Sequence, residues 1–139
     1  MDVTFSKTVS ESDVYLFAGI TGDLSPNHVN AEFMKATPYG QRVAHGALLV
    51  GYMSAASSLA VDRGLNVIAG MSPVSLGYDR VRFLKPVFIG DTITVAYNVT
   101  RTDTETRRSY ADIVVTNQRG ETVAAATHVM KWIGNAERS

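Results

Sequence analysis

The chain has 139 residues, with 13 lysines and arginines balanced by 13 aspartates and glutamates, and no cysteine. That length suits one domain with a real core, and a formal charge of zero provides no electrostatic footprint for nucleic acid or an anionic membrane. The lack of cysteine excludes disulfides, thiolate metal sites and a cysteine nucleophile.

Taken in order, the opening residues Met1 to Asp13 have neither a basic n-region nor an apolar h-region, so no secretory signal is expected. The reading is of a soluble, cytoplasmic protein. Val3 to Thr8 has strand composition. Ser10 with Asp13 has the form of a helix start, a hydroxyl followed three residues later by an acid. Val14, Phe17 and Ala18 follow at helical spacing, so a short helix should run to about Ile20. Thr21 to His28 then reads as a loop, and Asn30 as the cap of a second short helix over Ala31–Ala36. Thr37-Pro38 ends it, because the residue before a proline is pushed out of the helical region.

Ala44 to Ala60 is long enough for four to five helical turns at about 3.6 residues each. It carries no charge, and its only polar side chains are His45, Tyr52, Ser54, Ser57 and Ser58. A helix apolar nearly all round must be covered on most sides. A membrane span needs about 20 predominantly apolar residues; this run is shorter, studded with Ser and Gly, and ends in Asp62-Arg63-Gly64. It is read as a buried helix.

After Gly64 the period changes. Val67 to Val74 is ambiguous, being apolar but interrupted by Gly70 and Pro73. Leu76 to Leu84 has strand composition, and Lys85 to Asp91 holds a breaker and a turn signal. In Thr92 to Thr100, Ile93, Val95, Tyr97 and Val99 alternate with polar or small residues, the mark of a half-buried strand. Arg101 to Arg108 reads as a hairpin connection, Ser109 to Asn117 as a strand, Thr122 to Ile133 as another, and Gly134 to Ser139 as a frayed tail. There is no repeat or linker, so residues 1–139 are one domain. A helix-rich first half followed by three or four antiparallel strands is an α+β arrangement, in which the sheet curls around the uncharged helix as in a hot-dog fold.

Chemistry concentrates on loops held by a rigid scaffold. Asp23 and His28 lie five positions apart with Pro26 between them. Such a pair can take a proton from water and deliver one elsewhere; equally, Asp23 can cap a turn and His28 pack at a helix start. Asp23 and His28 with His45 form a weak case for a metal, since the spacing lacks the helical His pair of zinc proteases. His45-Gly46 stands at the front of the buried helix, where backbone N–H groups lack intrahelical acceptors. An oxyanion could be held there against Gly46, or Gly46 and Gly51 could serve close packing alone. Ser54 is read as a buried hydroxyl, bonded either to the carbonyl of Val50 or to the Asp23 loop. His128 is read as structural. Arg80, Arg82 and Lys85 are candidates for substrate phosphates, with a solvated face as the alternative.

Three separated blocks, Phe17 to His28, Val43 to Leu49 and Arg82 to Asp91, resemble those of the MaoC-like, (R)-specific enoyl-CoA hydratases. The first matches a segment of the form G-D-x-N-P-x-H. The resemblance implies a hot-dog fold, usually at least dimeric, acting on acyl thioesters of coenzyme A with no cofactor beyond the CoA of the substrate and no metal. It further implies Asp23 and His28 as the catalytic pair, the Gly46 N–H as holder of the thioester oxygen, and Ser25 and Ser54 as supporting residues. Two departures stand out: Ser25 replaces the family's usual Asn, and Asn27 replaces an apolar residue, which points to a branched, polar or dicarboxylic acyl group. The competing functions are a hot-dog thioesterase, disfavoured by the absence of any carboxylate in Ala44–Ala60, and a non-catalytic acyl-CoA-binding subunit.

Overall fold

A computed structural model describes residues 2–65 and 67–134. The tail expected beyond Gly134 lies outside the described residues. Five strands form one antiparallel sheet: β1 (Asp2–Thr8), β2 (Met71–Phe83), β3 (Thr92–Asp103), β4 (Arg108–Thr116) and β5 (Thr122–Gly134), in the order β1-β3-β4-β5-β2. Four helices precede β2: α1 (Glu11–Thr21), α2 (Pro26–Val29), α3 (Ala31–Lys35) and α4 (Gly46–Asp62).

Alternation decides which face of the sheet meets the helix. Ile93, Val95, Tyr97 and Val99 of β3 are buried, as are Ala111, Ile113 and Val115 of β4 and Val123, Ala124 and Ala126 of β5. Leu49, Tyr52, Met53, Ala56 and Ala60 of α4 join the same cluster, and α4 packs chiefly on β1 and β3. Burying side chains of this size contributes about 1.5–3 kcal/mol each for the larger ones, and the Tyr52 hydroxyl adds a bond to Asp13 of α1 at 3.3 Å.

The sheet covers only part of α4. Ala47, Gly51, Ser54, Ser58 and Asp62, at helical spacing, form a stripe that stays exposed on the single chain. Ser54 is therefore not the buried hydroxyl the sequence suggested; its neighbour Ser57 is, and that hydroxyl donates to the Ser54 carbonyl at 2.7 Å. The face a residue takes depends on how the whole helix is rotated against the sheet, and Ser54 falls on the far side.

Local signals mostly hold. Ser10 and Asp13 form a reciprocal capping box at α1, and the Asn30 side chain accepts from Phe33 N–H at α3. Three elements differ from expectation. His28 sits on the single turn α2 instead of in a loop, because Pro26 at its first positions presets the helical φ. The strand expected from Leu76 begins at Met71 and includes Pro73. Proline is tolerated because β2 is an edge strand, pairing only with β5. The third difference is the β3–β4 connection, which is tighter than Arg101–Arg108, with β3 running on to Asp103.

One buried polar group lies between helix and sheet. His128 is fully buried; Ser75 Oγ and Tyr97 Oη each lie 2.7 Å from a ring nitrogen, and Tyr78 stacks on the ring at 4.3 Å. A neutral imidazole donates to one hydroxyl and accepts from the other, so both nitrogens are satisfied. Burial lowers the His128 pKa from 6.5 to about 4. Above the unfolded value the ring is neutral in both states. As pH falls, the unfolded chain takes up a proton first, so stability is lost between about 6.5 and about 4, by roughly 2–3 kcal/mol. His128→Gln should lower stability at neutral pH yet flatten that decline, as measured by denaturation at a series of pH values; an unchanged slope would contradict the assignment.

Candidate active site

The Asp23 segment is shaped by short-range bonds. Gly22, in the left-handed region at φ +83°, ends α1, a conformation that costs glycine little. The Thr21 hydroxyl donates to the Phe17 carbonyl and accepts from Asp23 N–H, and Asp23 Oδ1 accepts from Ser25 N–H at 3.4 Å. Ser25 is the N-cap of α2 without a side-chain cap bond. Asp23 thus does take a turn role, and His28 does sit at a helix start. Neither role uses up their chemistry: Asp23 is exposed and His28 half-buried.

Longer-range bonds then bring the segment to α4. Val43 N–H donates to the Asn27 carbonyl at 2.9 Å, and His28 Nδ1–H donates to the Val43 carbonyl at 2.7 Å. With Nδ1 carrying the proton, Nε2 of the neutral ring is a bare acceptor. Ala44 N–H donates to Val87 and Val43 bridges Phe88, tying the same strand of chain to the turn before β3. His45 is buried to 1% exposure, stacks on His28 with ring centres 3.7 Å apart, and donates from Nε2–H to the Asp23 carbonyl at 3.0 Å. Donor atoms of Asp23, His28 and His45 lie within 4.8 Å of one another.

The start of α4 differs from those of α1 and α3. Both of those are capped by side chains, whereas the N-cap of α4, His45, makes no side-chain cap bond. Its ring is turned back to Asp23, and the first N–H groups of a 17-residue helix face outward at the positive end of its dipole. Beside them is a cavity of about 260 Å3 whose wall includes Tyr39, Leu49, Phe83, Pro86 and Val87, with Gly46 and Asn27 also lining it. Two acceptors and an uncapped helix start therefore share one corner of the fold. His45 Nε2–H is spent on the Asp23 carbonyl, so that nitrogen offers no lone pair to an ion.

The other sequence candidates fall elsewhere. Ser54 lies on the exposed stripe, where it and Ser57 face the Tyr78 hydroxyl. Lys85 pairs with Glu121 at 2.7 Å, a carboxyl held down at about 2 by Lys85, Asn117 and Arg119. Arg80, at φ +53° in the second irregularity of β2, and Arg82 are exposed. In the sequence His45 is only a candidate third metal ligand; its ties to Asp23 and His28 are tertiary, and its place next to Gly46 is the one signal of them.

Residues 1–124 match the MaoC like domain family. An (R)-specific enoyl-CoA hydratase of Rhodospirillum rubrum is 37% identical over 97 residues, 70% of this chain and 62% of that protein. A 3-hydroxybutyryl-CoA dehydratase of Methylorubrum extorquens is 36% identical over 103 residues, 74% of this chain and 60% of that protein. The matched part thus spans about three fifths of these relatives' own length. The solved structure of R-hydratase PhaJ1 from Pseudomonas aeruginosa, unliganded, superposes with a TM-score of 0.74 at 27% identity, covering 100% of this chain and 88% of that one. The α+β hot-dog architecture expected from the sequence is the one found.

Glycine has a different reason at each helix position. A Cβ at Gly46 would fall 2.5–2.8 Å from the Phe83 ring, whereas nothing lies within 4 Å of one at Gly51. Close packing thus applies to Gly46 and not, within one chain, to Gly51. Gly46→Ala should destabilise by about 0.5–1.5 kcal/mol, the cost of turning the Phe83 ring off its rotamer, and Phe83→Ala, at a ring 54% exposed, should relieve most of that loss. Denaturation of the two single variants and the double variant checks it; equal losses with and without Phe83 would contradict the packing account.

Proposed function

The chain belongs to the MaoC-like domain family, and from that premise we propose that it is an (R)-specific enoyl-CoA hydratase, adding water reversibly to a trans-2-enoyl-CoA. The observation that carries the reading is the convergence of the Asp23 carboxylate and the His28 imidazole, with ligand atoms within 4.8 Å of each other, beside an uncapped helix start.

A water between these two acceptors would donate a proton to each. As its oxygen bonds to the β-carbon of the enoyl group, the pair takes one proton. It then returns one proton to the α-carbon, so the substrate gains H and OH and the pair ends as it began. Charge developing on the thioester oxygen would be met by the N–H of Gly46, a preorganised donor at the positive end of α4. Such donors are worth about 10²–10³-fold in rate. Ser25, at the N-cap of α2, is proposed to steady the segment between the two catalytic residues. Ser54, the other supporting residue of this reading, stands on the exposed stripe of α4.

The reaction as proposed uses no metal and no cofactor apart from the CoA of the substrate. The thioesterase alternative needs an acid on or near the central helix, and α4 carries none before Asp62. The homodimer and the cytoplasmic location belong to the same proposal. Supporting the first are the outer edge of β2, which among the described residues has no strand beside it, its exposed Val74 and Leu76, and the bare stripe of α4. Among the described residues no helix is long and apolar enough to cross a membrane.

Crotonyl-CoA and longer, branched and polar enoyl-CoAs, followed by loss of the conjugated thioester absorbance, test the activity. Unchanged absorbance across that panel would remove the reading. Asp23→Asn and His28→Ala should each lower kcat by about 10²–10⁴-fold with folding intact, and a rate near wild type in either would overturn the assignment of that residue. Prolonged chelation with EDTA should leave the rate unchanged; loss restored by added zinc would place an ion among Asp23, His28 and His45.

A further inference from the structure

We propose that His45 is a positioning residue that holds the catalytic segment in register with the start of α4; this rests on the hydratase reading for its kinetic part. Thr21, Gly22, Asp23 and Leu24 are four consecutive exposed residues, so packing does not fix where Asp23 sits. The bonds within the segment, Thr21 to Asp23 and Asp23 to Ser25, set its local shape but not its place relative to the helix. The Nε2–H of His45 on the Asp23 carbonyl supplies that link. The same ring also limits His28, lying face to face with it at 3.7 Å and 25°. Phe17 of α1 packs on His45 at 4.7 Å, so the imidazole is wedged between α1 and α2 while its backbone begins α4.

Filling space does not account for this residue. His45 Nδ1 is buried and has no partner among the described residues, a cost that an apolar side chain of similar volume would avoid. The retained imidazole is explained by what its other nitrogen and its face do. His128 provides the contrast: equally buried, it has both nitrogens bonded and lies among Ser75, Tyr78 and Tyr97, none of them part of the catalytic segment. The reaction needs the Asp23 side chain, the His28 ring and the Gly46 N–H at fixed separations, and His45 is hydrogen-bonded to the backbone of the first, stacked on the second and covalently joined to the third. Misplacement of about 1 Å in such a set can cost 10²-fold in rate.

The test separates the bond from the stack. Glutamine places its amide nitrogen near the position of an imidazole Nε2, asparagine near that of Nδ1, and phenylalanine keeps a ring but no donor. His45→Ala and His45→Asn should lower kcat about 100-fold with KM changed less than about threefold, and His45→Gln should recover most of that loss; His45→Phe should fall between. If all four variants lose thermal stability but keep the wild-type kcat per folded molecule, the residue is merely structural and the inference is overturned. His45→Gln no better than His45→Asn would overturn the role of the bond. Amide hydrogen exchange over Asp23 to Val29, measured without substrate, gives a readout independent of activity. Exchange there should quicken at least tenfold in His45→Ala and be restored in His45→Gln. Unchanged exchange overturns the inference, whereas a wild-type protein inert toward every enoyl-CoA would defeat the hydratase reading and leave the exchange result to decide what His45 does.

Discussion

A helix of 17 residues with no charge before its last, Asp62, has to be kept largely from water, and the curled sheet is what keeps it. The alternation of β3, β4 and β5 places Ile93, Val95, Tyr97, Ile113 and Val115 against Leu49, Met53, Ala56 and Ala60. That contact is apolar and non-directional. It sets the depth and tilt of α4 but supplies no polar anchor. The beginning of the helix is fixed separately, by Ala44 on Val87 and Val43 beside Phe88. A rigid apolar body with a pinned, uncapped front end gives the fold a donor surface whose position does not depend on any mobile side chain.

The Asp23 to His28 segment is the opposite kind of object. Its residues are exposed or half-buried, and turn chemistry shapes them: Gly22 in the left-handed region, Pro26 opening α2, Ser25 and Thr21 bonding the backbone. A site built this way gains access to substrate and loses positional certainty. The two backbone carbonyls of Asp23 and Val43, each accepting from an imidazole, restore that certainty. Hydrogen bonds are well suited to the task because they are directional, and a stacked pair of rings restricts rotation as well as distance.

The two edges of the molecule also follow from the covering of α4. Five strands wrap one side and leave Ala47, Gly51, Ser54 and Ser58 bare, while β2 remains open along its outer side with Val74 and Leu76 exposed. Pro73 and the two irregularities in β2 are features that edge strands accommodate and central strands do not. The polar nest around His128 sits between this edge and the helix, where Tyr78 reaches Ser54 and Ser57.

Periodicity and capping are short-range properties, and they were legible. The alternation in Thr92–Thr100, the Ser10–Asp13 box, the Asn30 cap and the uncharged run from Ala44 all specify local structure through neighbours within a few residues. The three blocks around Asp23, Gly46 and Phe83 likewise announced the family by type and order. What tertiary structure alone decided is everything set by rotation or by distant partners. Met71 to Ser75 became strand because β5 was there to pair with it. Ser54 turned outward because the sheet took the opposite face of α4. His45 lies 22 residues from Asp23, and neither residue type nor spacing says that its ring closes that gap, because the contact exists only once α1, α2 and α4 have packed.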